Sequence, residues 1–193
     1  MERKVGKRQI KQPRTWAIGA GITEYWYLKH LKKFLGLNVD LHPRLFGNES
    51  MQHLKKLIDE GLEYGVDVVC LFDEDVKQWN KVEATRNAEL HKEYDENTHV
   101  ILGSSMPSIE YWFLLHFENT NRYMRTSKEA SKSLQKYISG YDKKKDFLSR
   151  EKWVYDLLKE NKMEMAVCRA QNLAKFEARS YTNVWKAIKK MTL

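Results

Sequence analysis

Apolar positions along this chain switch between two periods. Short continuous runs, typical of strands buried on both faces, alternate with stretches repeating every three to four residues, typical of amphipathic helices. Thr15-Trp-Ala-Ile-Gly19 is the first such run, and Gly19 and Gly21 make a turn after it. Thr23 suits a helix cap, and Tyr25, Leu28, Leu31 and Leu35 then recur at helical spacing as far as Gly36. Val39 to Leu45 reads as a second strand, with Pro43 marking its end or an edge, and Gly47-Asn48 as a turn. Met51, Leu54, Leu57, Ile58 and Leu62 form a strong apolar stripe ended by Gly65. Val68 to Phe72, inside Asp67-Asp73, is a third strand. Val76 to Tyr94 is polar, with a helix over its second half. Thr98 to Leu102 is a fourth strand and Gly103-Ser-Ser105 a turn. Pro107 suits the first turn of a helix carrying Ile109, Trp112, Phe113, Leu115 and His116.

Strands separated by single helices pair in parallel through right-handed crossovers, so the expected fold is an α/β, Rossmann-like sheet of about four mainly parallel strands flanked by helices. Past residue 120 the chain turns lysine-rich and helical, without a convincing strand. Ser127 and Ser149 read as helix starts, Gly140 to Lys145 as a loop, and a last helix begins near Asn183 with Val184, Trp185 and Ile188 on its apolar side. This divides the chain into an α/β domain over 1–120 and a helical extension over 121–193 packed on it.

Charge narrows the class of partner. A formal net charge of +8 favours a polyanion, nucleic acid first. Six tryptophans and ten tyrosines favour a packed globule over disorder. With only Cys70 and Cys168 there is no disulfide framework, which suits a reducing cytoplasm. The basic stretch Met1 to Arg14 lacks the apolar segment of a secretion signal, and no run is long enough to span a bilayer, so no membrane association is expected.

The chemistry gathers where strands end, which is where open α/β folds place their ligands. Asp73 and Asp75, two residues apart after the third strand, point the same way. Two carboxylates about 5 Å apart repel by roughly 3 kcal/mol at an effective dielectric of about 20. A divalent cation, Mg²⁺ or Mn²⁺, removes that repulsion. Glu24 follows the first strand and Glu110 the fourth, so four carboxylates can face one cleft. Such hard oxygen donors suit metal-assisted phosphodiester chemistry. Glu74 points to the opposite side in strand geometry and reads as solvated. Ser105 either contacts a phosphate or caps a helix. His116, six residues past Glu110, lies on another helix face and reads first as structural and second as catalytic. Lys143, Lys144 and Lys145, near Tyr141, read either as a solvated face or as a run that tracks a phosphate backbone, and Arg169, Lys175 and Arg179 recur on one helix, either to clamp a nucleic acid or to support the helix surface.

These residues carry a resemblance. A turn of the Glu-Gly-x-Thr-Glu kind followed by an apolar strand ending in Asp-x-Asp resembles the Toprim fold, the catalytic domain shared by topoisomerases, DnaG-type primases and OLD-family nucleases. The chain more closely resembles the RloB-like family, which includes the abortive-infection protein AbiLii. Three segments bear this out: Thr23-Glu-Tyr-Trp-Tyr-Leu28, Phe72-Asp-Glu-Asp75, and Ser105-Met-Pro107-Ser-Ile-Glu110-Tyr-Trp112-Phe-Leu-Leu-His116-Phe117, with Thr182-Asn-Val184 near the end. The likeness spans residues 15 to 190, and its central segment is specific.

The resemblance implies a Mg²⁺- or Mn²⁺-dependent nuclease of antiphage defence, with Glu24, Asp73 and Asp75 holding the metal and Glu110 beside them. It implies an ABC/SMC-type ATPase partner, and RNA, tRNA included, is favoured over DNA as substrate; a homo-oligomer is left open. Where the family pattern has its first glutamate this chain has Ala20, which can neither ligate a metal nor carry a proton. The chain is then inactive or severely impaired. Either the alanine is natural, or a Glu-to-Ala change has been introduced; survival of every other acidic position favours the second. Two other readings stand beside the nuclease: a non-catalytic module that binds nucleic acid or the ATPase, and a nucleotidyl- or phosphotransferase. The chain has no Walker loop of its own.

Overall fold

The computed structural model describes residues 14–42, 50–75, 80–175 and 179–192. The sites expected at Pro43 and Gly47-Asn48, and the basic stretch through residue 13, lie outside these. One sheet organises the chain: β1 (Thr15–Gly19), β2 (Val39–His42), β3 (Val68–Asp73), β4 (Val100–Met106) and β5 (Tyr181–Thr182), in the order β2-β1-β3-β4-β5. The first four strands are parallel and β5 is antiparallel to β4. The expected α/β fold with about four parallel strands is therefore present.

Alternation along the strands sorts the core into two layers. Ile18, Val68, Cys70 and Phe72 face α2 (Met51–Glu63) and α3 (Lys81–Tyr94), whose Leu54, Ile58 and Leu90 cover them. Ala17, Val69 and Leu71 face the opposite layer, built from α1 (Ile22–Leu35), α4 (Ile109–Leu115) and α9 (Val184–Thr192). This second layer continues into α5 (Ser127–Leu134), α6 (Lys145–Leu148), α7 (Lys152–Leu158) and α8 (Lys162–Lys175). Leu134, Trp153, Leu157 and Leu173 share one cluster with Leu28 and Leu71. The helices after residue 120 thus share a core with the sheet.

Helix α4 is the clearest product of packing. All seven of its residues are buried. A helix so short is not stable alone in water. Burying each of its large side chains contributes about 1.5–3 kcal/mol, and the Trp112 indole N–H donates to Tyr27 Oη at 2.8 Å, fixing α4 to α1.

Several local expectations need correction. Thr23 lies inside α1, whose cap is Gly21 in extended backbone; Gly36 does close the helix, at φ 64° in the left-handed region that favours glycine. Strand β4 runs on through Gly103-Ser-Ser105 because β3 pairs with it as far as Ser105, and β5 joins its other side, where Ser105 pairs with Thr182 and Met106 with Tyr181. Gly103 marks close packing instead of a turn, since a Cβ there would lie 2.4 Å from Leu71 Cδ2. Pro107 precedes α4, whose cap is Ser108. Thr126 caps α5, and Ser149 ends α6 instead of starting a helix. Two residues are too few to give β5 a period, which is why the second half reads as strandless. Among the described residues no helix is long and apolar enough to cross a membrane.

Candidate active site

In the order β2-β1-β3, the chain leaves β1 toward one edge and reaches β3 on the other side, so the crevice beyond the carboxyl ends of β1 and β3 is the switch point of the sheet. A cavity of about 250 Å³ opens there, and Ala20, Gly21, Glu24, Asp73, Asp75 and Lys143 line it. Three of the four expected carboxylates therefore reach one cavity, from two loops.

Glu24 occupies the first turn of α1 and folds back over the helix start, where it accepts a hydrogen bond from its own N–H. Gly21 makes room for it: a Cβ there would lie 2.6 Å from Glu24 Oε2. The carboxyl is hydrogen-bonded to Asp73 across the cavity. Burial, with Glu110 as a nearby like charge, lifts Glu24 from 4.5 to about 7. Asp73 moves the same way, well above the usual carboxylate range, through burial and then the charges of Glu24 and Glu110. Asp73 Oδ1 also accepts from the Ile109 N–H at 2.8 Å. The strand's end is fixed by the Glu74 N–H on Ser105 O at 2.9 Å and the Asp75 N–H on Pro107 O at 3.1 Å.

Glu110 is fully buried behind this pair. Its oxygens accept from Ser108 Oγ at 2.6 Å and Tyr141 Oη at 2.7 Å, and Lys143 Nζ stands 3.0 Å from Oε2. Burial pulls the Lys143 ammonium down, but Glu110, Asp73 and Glu24 outweigh it and hold its pKa above the ordinary value. Burial, and then Glu110, push the Tyr141 hydroxyl well above its usual value. Both residues come from the helical half. No spacing signal links residues 110 and 141, so sequence reasoning grouped Lys143 with its neighbouring lysines as a phosphate-tracking run and connected neither it nor Tyr141 with Glu110.

The remaining expected residues lie elsewhere. Glu74 is buried, correcting its reading as solvated: it accepts from Tyr181 Oη at 2.6 Å and pairs with His91 Nε2 at 3.1 Å, beneath the same strand end. Ser105 is buried in β4 against Thr182 Oγ1 at 2.9 Å, so it neither caps a helix nor faces the cavity. His116 packs at the far end of α4, with Nδ1 on Trp112 O at 3.0 Å, and burial lowers its pKa to about 3. That is the structural alternative. Arg169 donates to Leu115 O at 2.6 Å and so caps α4. Lys175 ends α8, but Arg179 lies beyond that helix, so the basic row is not on one helix. Lys144 is the exposed cap residue of α6, 3.4 Å from Asp142, and Lys145 is the first residue of that helix.

Among the described residues, no group of three His, Cys, Asp or Glu side chains stands ready to hold a metal ion. The donor set nevertheless fits a hard divalent cation. Two desolvated carboxyl groups meet through a hydrogen bond and both hold their protons unusually tightly, with Asp75 on the same wall. A cation could replace the proton that now relieves their repulsion. Ala20 lines the cavity where a longer acidic side chain would add a further oxygen donor.

Fold and cavity together define a parallel α/β protein with a recessed acidic site at its sheet switch point. A family model described as RloB-like protein matches residues 17–191, and the chain belongs to that family. No curated protein and no solved structure matches the chain.

Proposed function

We propose that this protein is a Toprim-type nuclease dependent on Mg²⁺ or Mn²⁺, acting on RNA, tRNA included, in preference to DNA, in cytoplasmic antiphage defence beside an ABC/SMC-type ATPase. The observation that carries this reading is the Glu24–Asp73 carboxyl pair, joined by Asp75 on the wall of one cavity at the sheet's switch point. A bound divalent cation would activate water and offset charge on the phosphoryl oxygens. Glu24 and Asp73 would hold it after losing their protons, and Asp75 would complete the set. Lys143, held by Glu110, offers a cation to a phosphate entering the cavity. Ala20 leaves the site short of one acidic group, so the chain as it stands is inactive or severely impaired.

The test is Ala20→Glu. The variant, supplied with the partner ATPase, is expected to cleave RNA or DNA only when Mg²⁺ or Mn²⁺ is present. Absence of cleavage would favour the second reading, a module that binds nucleic acid or the ATPase without catalysis, for which Ala20 itself is the supporting observation.

A further inference from the structure

Outside the residues that line the recessed acidic cavity, the start of β5 carries a feature that the cavity chemistry does not use. Strand β5 enters the sheet at the carboxyl end of β4, where Tyr181 pairs with Met106. Ser180, just before it, is fully buried and locks the 119–126 loop in place. Ser180 Oγ accepts from the Met124 N–H at 2.8 Å and lies 3.2 Å from Met124 O. Flanking this lock, Tyr123 is 45 % exposed, and the Arg179 guanidinium stands 5.7 Å from its ring centre. An aromatic face on anchored backbone, backed by arginine, is preorganised to stack a base.

Position relates this pair to the cavity. Tyr181 donates to Glu74, the residue between Asp73 and Asp75. Two strand spacings, about 10 Å, separate β3, which ends beside Glu74, from β5, which carries Tyr181. Recession decides the form of the strand. Glu24 is 4 % exposed and Glu110 fully buried, so a phosphate has to enter the cavity to meet them. A stacked duplex holds its phosphates on a stiff outer ridge; an unpaired strand can bend one inward and splay a base outward.

We propose that Tyr123 and Arg179 form a stacking platform for an unpaired base of a single-stranded polynucleotide whose backbone continues into the acidic cavity. The proposal rests on the nuclease reading for what happens in the cavity, but not for the binding itself. The protein as it stands, with Ala20, serves for the measurement. Fluorescence anisotropy compares a short labelled single-stranded RNA, its DNA counterpart and the matching duplex. Either single strand is expected to bind roughly tenfold or more tighter than duplex. Tyr123→Ala and Arg179→Ala are each expected to weaken it roughly tenfold, the order lost with one base–aromatic stack, while Tyr123→Trp retains it. Equal affinity for duplex, or unchanged affinity in Tyr123→Ala, overturns the platform; a patch that serves a protein partner gives the latter. The two readings fail separately. An Ala20→Glu protein that cleaves nothing yet binds single strands through Tyr123 overturns only the nuclease. One that cleaves while Tyr123→Ala binds unchanged overturns only the platform.

Discussion

Glu24, from the first turn of α1, and Asp73, from the end of β3, meet as two buried carboxyl groups joined by a hydrogen bond. Burial raises the proton affinity of both; the charge of Glu24 raises Asp73 further, whereas the hydrogen bond from Asp73 tempers the rise at Glu24. In the proposed metal-bound state a divalent cation would displace that proton, and the consequences are measurable.

Metal binding must displace protons. With Glu24 raised to about 7, Mn²⁺ affinity in Ala20→Glu should strengthen as pH rises toward that value and level off above it. Calorimetry in buffers of different ionisation enthalpy should detect proton release below it and little above. Asp73→Asn should abolish binding, and affinity unchanged by that substitution would sink the proposed ligand set.

The same shift acts on stability. The folded state holds the Glu24 proton up to about pH 7 and the unfolded chain only to 4.5, so stability is full below 4.5 and falls as pH rises through 7. The loss is about 3 kcal/mol. Glu24→Gln, which stays neutral, should melt roughly 5–10 °C higher than the parent at about pH 8, with little difference at low pH. Thermal melts at both pH values check the slope.

His116 works in the opposite sense. Its folded pKa is lowered to about 3 by burial, while the unfolded chain takes up a proton near 6.5, so its effect appears as pH falls from 6.5 toward 3. His116→Leu should lose about 1 kcal/mol at neutral pH with the Trp112 hydrogen bond, yet lose stability more slowly in acid. Cleavage by Ala20→Glu should be unaffected by it, whereas loss of cleavage without loss of fold would return His116 to the site.

Glu110 depends on the helical half of the chain. Tyr141→Phe keeps the ring and removes one donor from a buried carboxylate, which should lower unfolding free energy by about 1.5–3 kcal/mol in urea melts. An unchanged midpoint would mean that Ser108 and Lys143 satisfy Glu110 without it.

Gly21 is tested most simply by one added methyl. Its Cβ would meet the movable end of Glu24 and not backbone, so Gly21→Ala should leave the fold intact and displace the carboxylate. In Ala20→Glu, Mn²⁺ affinity should fall roughly tenfold, as expected when a ligand loses its support.

Local pattern was enough for the parallel strands, most of the helices and the approach of Asp73 and Asp75 to the cavity of Glu24, because burial on a sheet imposes a period and strand ends have a fixed place in this fold. The family likeness is equally a property of the sequence, and the match over residues 17–191 bears it out. Only the tertiary structure decided what each carboxyl touches. Glu74 reads as solvated because alternation gives its side of the strand but not that α3 and β5 close over it. Lys143 and Tyr141 reach Glu110 across more than thirty residues, and no local period encodes a contact at that separation. Desolvation and charge spacing are sums over neighbours brought together by folding, so the raised proton affinity of Glu24 and Asp73 exists only in the folded chain.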